Sequence, residues 1–159
     1  MRERDLLALE FDKVLQLVAS YALSAAGHEA CLALQPQIAE PVVKEDSERT
    51  WQCFRLLEER LHLPIRPFPD IRPTFEWVDH GGAALEGLQL LDILEVVTLS
   101  RTLATFFRRE AAEKNLLKGY AERLPSFRDL EAALRRCLDE NGKLKDEASP
   151  TLRSLRRQI

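Results

Sequence analysis

Three groups of residues in this 159-residue chain have the types and spacing to do chemistry. His28 and Cys31 stand three apart, so on a helix both side chains would face one side, as two ligands of a zinc ion do. A zinc site needs further ligands, and none follows at a suitable spacing; the pair reads equally as a core thiol beside a surface histidine. Asp139-Glu140 and Asp146-Glu147 flank a turn, where two carboxylate pairs brought together could hold a divalent cation. Turns also use Asp and Asn for local hydrogen bonds and helix starts favour acids, which accounts for the same residues without a metal. Arg153, Arg156 and Arg157 form a basic face, suited to nucleic-acid phosphate or simply to water.

Other chemistry is missing. His62 and His80 have no neighbouring nucleophile to activate. The six glycines, at 27, 81, 82, 87, 119 and 142, never provide the spacing or the Gly-Lys-Ser/Thr ending with which backbone amides cradle a phosphate. No catalytic, cofactor-binding or metal-binding residue is therefore expected.

The elements that would position these groups read as helices. Phe11, Val14, Leu15, Val18 and Ala22 predict an amphipathic helix over residues 10–21. Ser24 is placed to cap a second helix running to Leu34 and stopped by Pro36. A third, from Val42 to Leu61, would turn Trp51, Phe54, Leu57 and Leu61 inward, with Glu45–Arg49 and Arg55–Glu59 pairs on its wet side. Residues 61–73 contain four prolines and predict a stiff, non-helical connection. A short helix with Phe75, Trp77 and Val78 should end at Gly81-Gly82, and the apolar segment from Gly87 to Arg109 should be the buried central helix, with Leu94 and Val97 midway. A helix over 113–123 follows, then one to Leu138 opened by Ser126 and Asp129 as a capping box, with Leu130, Ala133, Leu134 and Cys137 inward. Asn141-Gly142 predicts a tight turn, and Leu138 to Leu144 a tiny hairpin around it. Ser149-Pro150 opens a last helix with Leu152, Leu155 and Ile159 as its apolar stripe. No segment alternates with period two over a useful length, so the class is all-α.

Composition agrees with a single folded unit: 45% hydrophobic and 31% charged residues, without low-complexity sequence or internal repeats. No apolar run reaches membrane-spanning length and the first ten residues lack the apolar heart of a signal peptide, so a cytoplasmic location and no membrane partner are expected. Three cysteines form no Cys-x-x-Cys pair and predict free thiols. The net charge of −3 is unevenly spread: residues 143–159 carry +3 and the first 142 residues −6. Basic surface for a polyanion is thus concentrated in the last segment.

Three stretches carry a family resemblance: LEFDKVLQLVASYA (9–22), DIRP (70–73) with the later Gly-Gly, and CLDENGKLKDEASPTLRSLRRQI (137–159). Together they resemble the amino-terminal region of the bacterial MutS paralogue that carries a C-terminal Smr nuclease domain, a mismatch-independent branch of the MutS family. The chain also contains no Phe-x-Glu, the wedge of mismatch-recognising MutS. The resemblance implies a multi-helix core or lever region over 1–148, and over 149–159 the start of a coiled-coil clamp helix in a chain that is a piece of something longer. For the intact protein it implies ATP and magnesium, homodimerisation, action on branched DNA to suppress recombination, an endonuclease activity, and in some bacteria action on collided ribosomes. This piece would be a mechanical module between ATPase and clamp. Two other classes compete: a free-standing helical adaptor that binds another protein through Leu152, Leu155 and Ile159, and a small helical enzyme built on the scattered histidines and carboxylates.

Overall fold

The computed structural model describes residues 3–59, 63–82, 84–110 and 115–157. Among them the order is α1 (Glu3–Ala8), α2 (Phe11–Ala19), α3 (Ala25–Leu32), α4 (Glu40–Glu58), α5 (Arg72–Asp79), α6 (Gly87–Glu110), α7 (Asn115–Arg123), α8 (Arg128–Cys137), a 3-10 turn at Asp146–Ala148, and α9 (Pro150–Arg157). The protein is all-α; the one β feature among the described residues is an isolated bridge, Leu138 with Leu144, where the hairpin was expected.

Helix boundaries follow local chemistry. Ser24 accepts a hydrogen bond from the Gly27 amide at 3.0 Å and so opens α3, which ends at Leu32, two residues before the position expected from Pro36. Pro41 sits in the first turn of α4, where a missing N–H costs nothing, so that helix starts at Glu40, earlier than Val42. Its predicted end at Leu61 lies outside the described residues, as do the 113–114 start of α7, His62 and Ile159. The capping box does not form. Phe127 is the N-cap residue of α8 and no side chain caps that end, because the helix starts one residue too late for Ser126 to reach its amides. Sequence reading also missed α1, which is joined to α2 by Glu10 at φ 50°, a left-handed conformation that few non-glycine residues adopt. Glu10 accepts an ion-paired hydrogen bond from Lys13 Nζ at 2.6 Å, which gives the Leu-Glu-Phe-Asp-Lys stretch a local structural reason.

Packing is organised along α6, which was expected to be central. Its first half holds one apolar cluster, Ile93 and Val97 against Leu134 and Leu138, with Ile71, Leu85 and Leu94 around them. Its last turns hold a second: Phe106 and Phe107 pack on Leu56 of α4 and Leu117 of α7. Three expected inner faces are corrected. On α4, Cys53 and Leu56 face the interior, while Trp51, Phe54 and Leu57 are 54%, 47% and 55% exposed. The physical reason is that α7 docks on the Cys53–Leu56 side and leaves the aromatic stripe uncovered. On α2, Ala19 is buried with Phe11 and Leu15 half-buried, whereas Val14 and Val18 are exposed. On α8, Leu134 is buried and Ala133 and Cys137 are half-buried, but Leu130 is exposed. No helix of the described residues is long and apolar enough to cross a membrane.

Candidate nucleic-acid interface and its mount

The three predicted arginines lie on α9, and residues 137–149 tie that helix to α8 and to the start of α6. After α8 the chain turns sharply: Asp139 Oδ1 accepts from the amides of Asn141 at 2.9 Å and Lys143 at 2.8 Å, and the Gly142 amide donates to the Asp139 carbonyl at 3.2 Å. These amide bonds, Lys143 first, hold the Asp139 carboxyl below its ordinary range. Gly142 takes φ +75°, which is inexpensive only for glycine. The Lys145 amide donates to the Cys137 carbonyl at 2.8 Å and its Nζ to the Arg135 carbonyl at 2.9 Å, tying the outgoing strand back to α8. Ser149 Oγ then accepts from the Leu152 amide at 3.0 Å and caps α9 as expected.

The tip of this turn rests on the start of α6. Gly87 and Gly142 meet main chain to main chain, so closely that a Cβ at Gly87 would overlap the Gly142 carbonyl oxygen, and one at Gly142 would lie 2.7 Å from the Gly87 carbonyl carbon. Two glycines are the condition for this contact, and neither was singled out for it in the sequence.

On α9 itself the three arginines do not behave alike. Arg156 donates to Asp146 Oδ1 at 2.6 Å, closing the helix against the 3-10 turn. Arg153 and Arg157, one turn apart, are exposed. Leu152 is half-buried and Leu155 54% exposed. Of the four carboxylates considered for a cation, Asp139 is engaged by amides and Asp146 by Arg156, Glu140 is exposed, and the side chain of Glu147 lies outside the described set. His28 is exposed and Cys31 half-buried, and among the described residues no group of three or more His, Cys, Asp or Glu is placed to hold a metal ion. His80 Nδ1 lies 2.7 Å from the Glu76 carbonyl, an ordinary contact at the end of α5. Cys31, Cys53 and Cys137 are free thiols, and burial pushes that of Cys53 up.

A second joint involves the DIRP stretch. Arg72 forks onto both oxygens of Glu29 on α3, at 2.7 and 2.8 Å, and also onto Asp70, at 2.6 to 3.1 Å. The guanidinium holds both carboxyls below their ordinary values. Asp70 Oδ1 also accepts from the Arg72 amide at 3.1 Å, so one carboxylate holds the first residue of α5 by its backbone as well as by its guanidinium.

A third polar cluster was not anticipated. Glu131 on α8 is only 7% exposed, yet ionised: Arg101 of α6 donates from Nε at 2.8 Å and Nη2 at 3.1 Å, and Arg135 from Nε at 3.1 Å. Thr98 Oγ1 donates to Glu131 at 3.3 Å and accepts from Arg135 Nη2 at 3.0 Å. The Arg101 bonds above all hold the Glu131 carboxyl near 2. The Glu131–Arg135 spacing of four was visible in the sequence; the partners thirty residues away on α6 were not.

The class these features define is an all-helical unit in which α9 is joined through a capped turn to α8 and to the start of α6, and carries three exposed arginines, one of them paired with Asp146. No protein-family model matches the chain. Over its whole length it is similar to proteins named Endonuclease MutS2: 35% identical to that of Geobacillus sp. (strain WCH70), and 33% to those of Aquifex aeolicus and Solidesulfovibrio magneticus. Each match covers 100% of this chain and 20% of the relative, so the chain spans about one fifth of the length of the curated relatives it matches.

Proposed function

We propose that this chain is the amino-terminal helical segment of a MutS2-type protein and that its work is mechanical. Residues 1–148 are the core or lever region and 149–159 the beginning of a clamp helix, set by the mounted turn at an angle fixed relative to α6. The observation that supports this reading is the full-length similarity to one fifth of each MutS2 relative. The intact protein is then an ATP- and magnesium-dependent homodimeric endonuclease of the cytoplasm, acting on branched DNA to restrain recombination and, in some bacteria, on collided ribosomes. Within this segment Arg153 and Arg157 contact nucleic-acid phosphate, with Arg156 held back by Asp146.

The reading is tested by placing Gly142→Ala in the intact protein. The strained turn should leave basal ATP hydrolysis in place and abolish its response to branched DNA; an unchanged response would refute a lever role. The segment alone should neither bind nor hydrolyse ATP, since it has no phosphate cradle. Arg153 and Arg157 should together contribute about −2 to the log–log salt slope of its DNA binding, the share expected of two phosphate contacts. A second reading, a surface that binds another protein, is favoured by the exposed Trp51–Phe54 stack on α4, whose ring centroids lie 5.5 Å apart.

A further inference from the structure

We propose that the cleft between α6 and α8 is a binding site for a phosphate group. It has a volume of about 320 Å³ and is lined by Arg101, Thr105, Arg128, Glu131, Ala132 and Arg135. That volume accommodates a phosphate together with an attached sugar or a second phosphate. Three guanidiniums and one carboxylate give the cleft a net charge of +2.

The carboxylate orients its neighbours. Glu131 is buried beneath them and occupies Nε and one Nη2 hydrogen of Arg101, and Nε of Arg135. Nη2 of Arg135 donates to Thr98 Oγ1 at 3.0 Å and lies 3.1 Å from Glu131 Oε1. The Nη1 groups of both arginines make no hydrogen bond among the described residues and remain free to donate, on side chains whose planes are already fixed. Arg128, at the first position of α8, is exposed and makes no hydrogen bond or ion pair among the described residues. Glu131 offsets one of the three guanidiniums that line the cleft, so two positive charges repel without a carboxylate of their own among its lining residues. An anion relieves that repulsion. A phosphate suits the site because its tetrahedral oxygens accept from several directions at once and match arginine forks. The proposal does not depend on the family reading.

Phosphate can arrive on a nucleic-acid backbone or as a free phosphate compound, and one experiment separates the two. The Nε–H resonances of Arg101 and Arg135 in the ¹⁵N-labelled chain are followed while inorganic pyrophosphate, or a single-stranded deoxyoligonucleotide, is added at low salt. Both resonances should move. Arg128→Ala, at an exposed position with no partner to lose among the described residues, should weaken the response about three- to tenfold and lower the salt slope of oligonucleotide binding by about one. Replacing Arg153 and Arg157 with Ala should leave the response of these two resonances in place. A response to oligonucleotide only assigns backbone phosphate, and a response to pyrophosphate only assigns a free phosphate compound. Silence with both ligands, or a response that Arg128→Ala leaves unaltered, overturns the site.

Discussion

The two ends of α6 are held by different means. At its last turns the contact is apolar: Phe106 and Phe107 meet Leu56 and Leu117, and the nearby aromatic stripe of α4 is left to solvent. Toward its start and middle, apolar packing by Ile93 and Val97 is joined by a buried carboxylate, a set of arginine forks and a main-chain contact between two glycines. The apolar end depends on how much surface is covered and tolerates slight sliding. The polar end depends on direction, since a hydrogen-bonded fork or a glycine-to-glycine contact has one geometry. The end with fixed direction is the one from which α9 departs.

This difference can be broken from either side. The largest effect is expected at the apolar end: Leu56 is fully buried, so Leu56→Ala should destabilise by about 2–5 kcal/mol through lost burial and the cavity left behind, measured by urea unfolding. At the polar end Glu131→Ala should cost about 2–3 kcal/mol, because two guanidiniums lose a charge-assisted partner. The acid profile should single out the same residue. Its folded pKa, near 2, lies below the ordinary value of 4.5, so its stabilisation is complete above that value and is lost as the pH falls through 2. Glu131→Gln should flatten this part of the stability–pH curve. Gly142→Ala should cost about 1–3 kcal/mol, through positive φ and overlap with Gly87, and hydrogen exchange should quicken from 138 to 157 with little change at Leu117. The smallest effect belongs to the uncovered face of α4: Leu57→Ser should change stability by less than about 0.5 kcal/mol, although Leu57 lies one residue from Leu56. A large loss there would mean that this face is covered in solution.

The helical class, the caps at Ser24 and Ser149, the turn at Asn141-Gly142 and the central place of α6 were legible because each follows from local propensity or from the length of an apolar run. Which face of α4 turns inward was not legible. Trp51, Phe54 and Leu57 make the stronger apolar stripe, and only the docking of α7 selects Cys53 and Leu56 instead. Ser126 failed as a cap by a single residue of register, a margin that residue type does not resolve. Of the candidate site, the basic residues of α9 were legible, but the withdrawal of Arg156 by Asp146 depends on how the 3-10 turn folds back. The Glu131 cluster and the Gly87–Gly142 contact pair residues 30 and 55 positions apart, and no local pattern encodes them.

A joint made of main chain at both surfaces has no side chain through which to be adjusted. Most contacts in a protein can be weakened or strengthened in steps, one methyl or one hydroxyl at a time. At Gly87 and Gly142 the smallest possible step, a single methyl, already collides with the opposite backbone. The joint is therefore kept whole or lost whole, and the stiffness between α6 and the last helix can be tuned only from the residues around it, such as Asp139, Lys145 and Leu88.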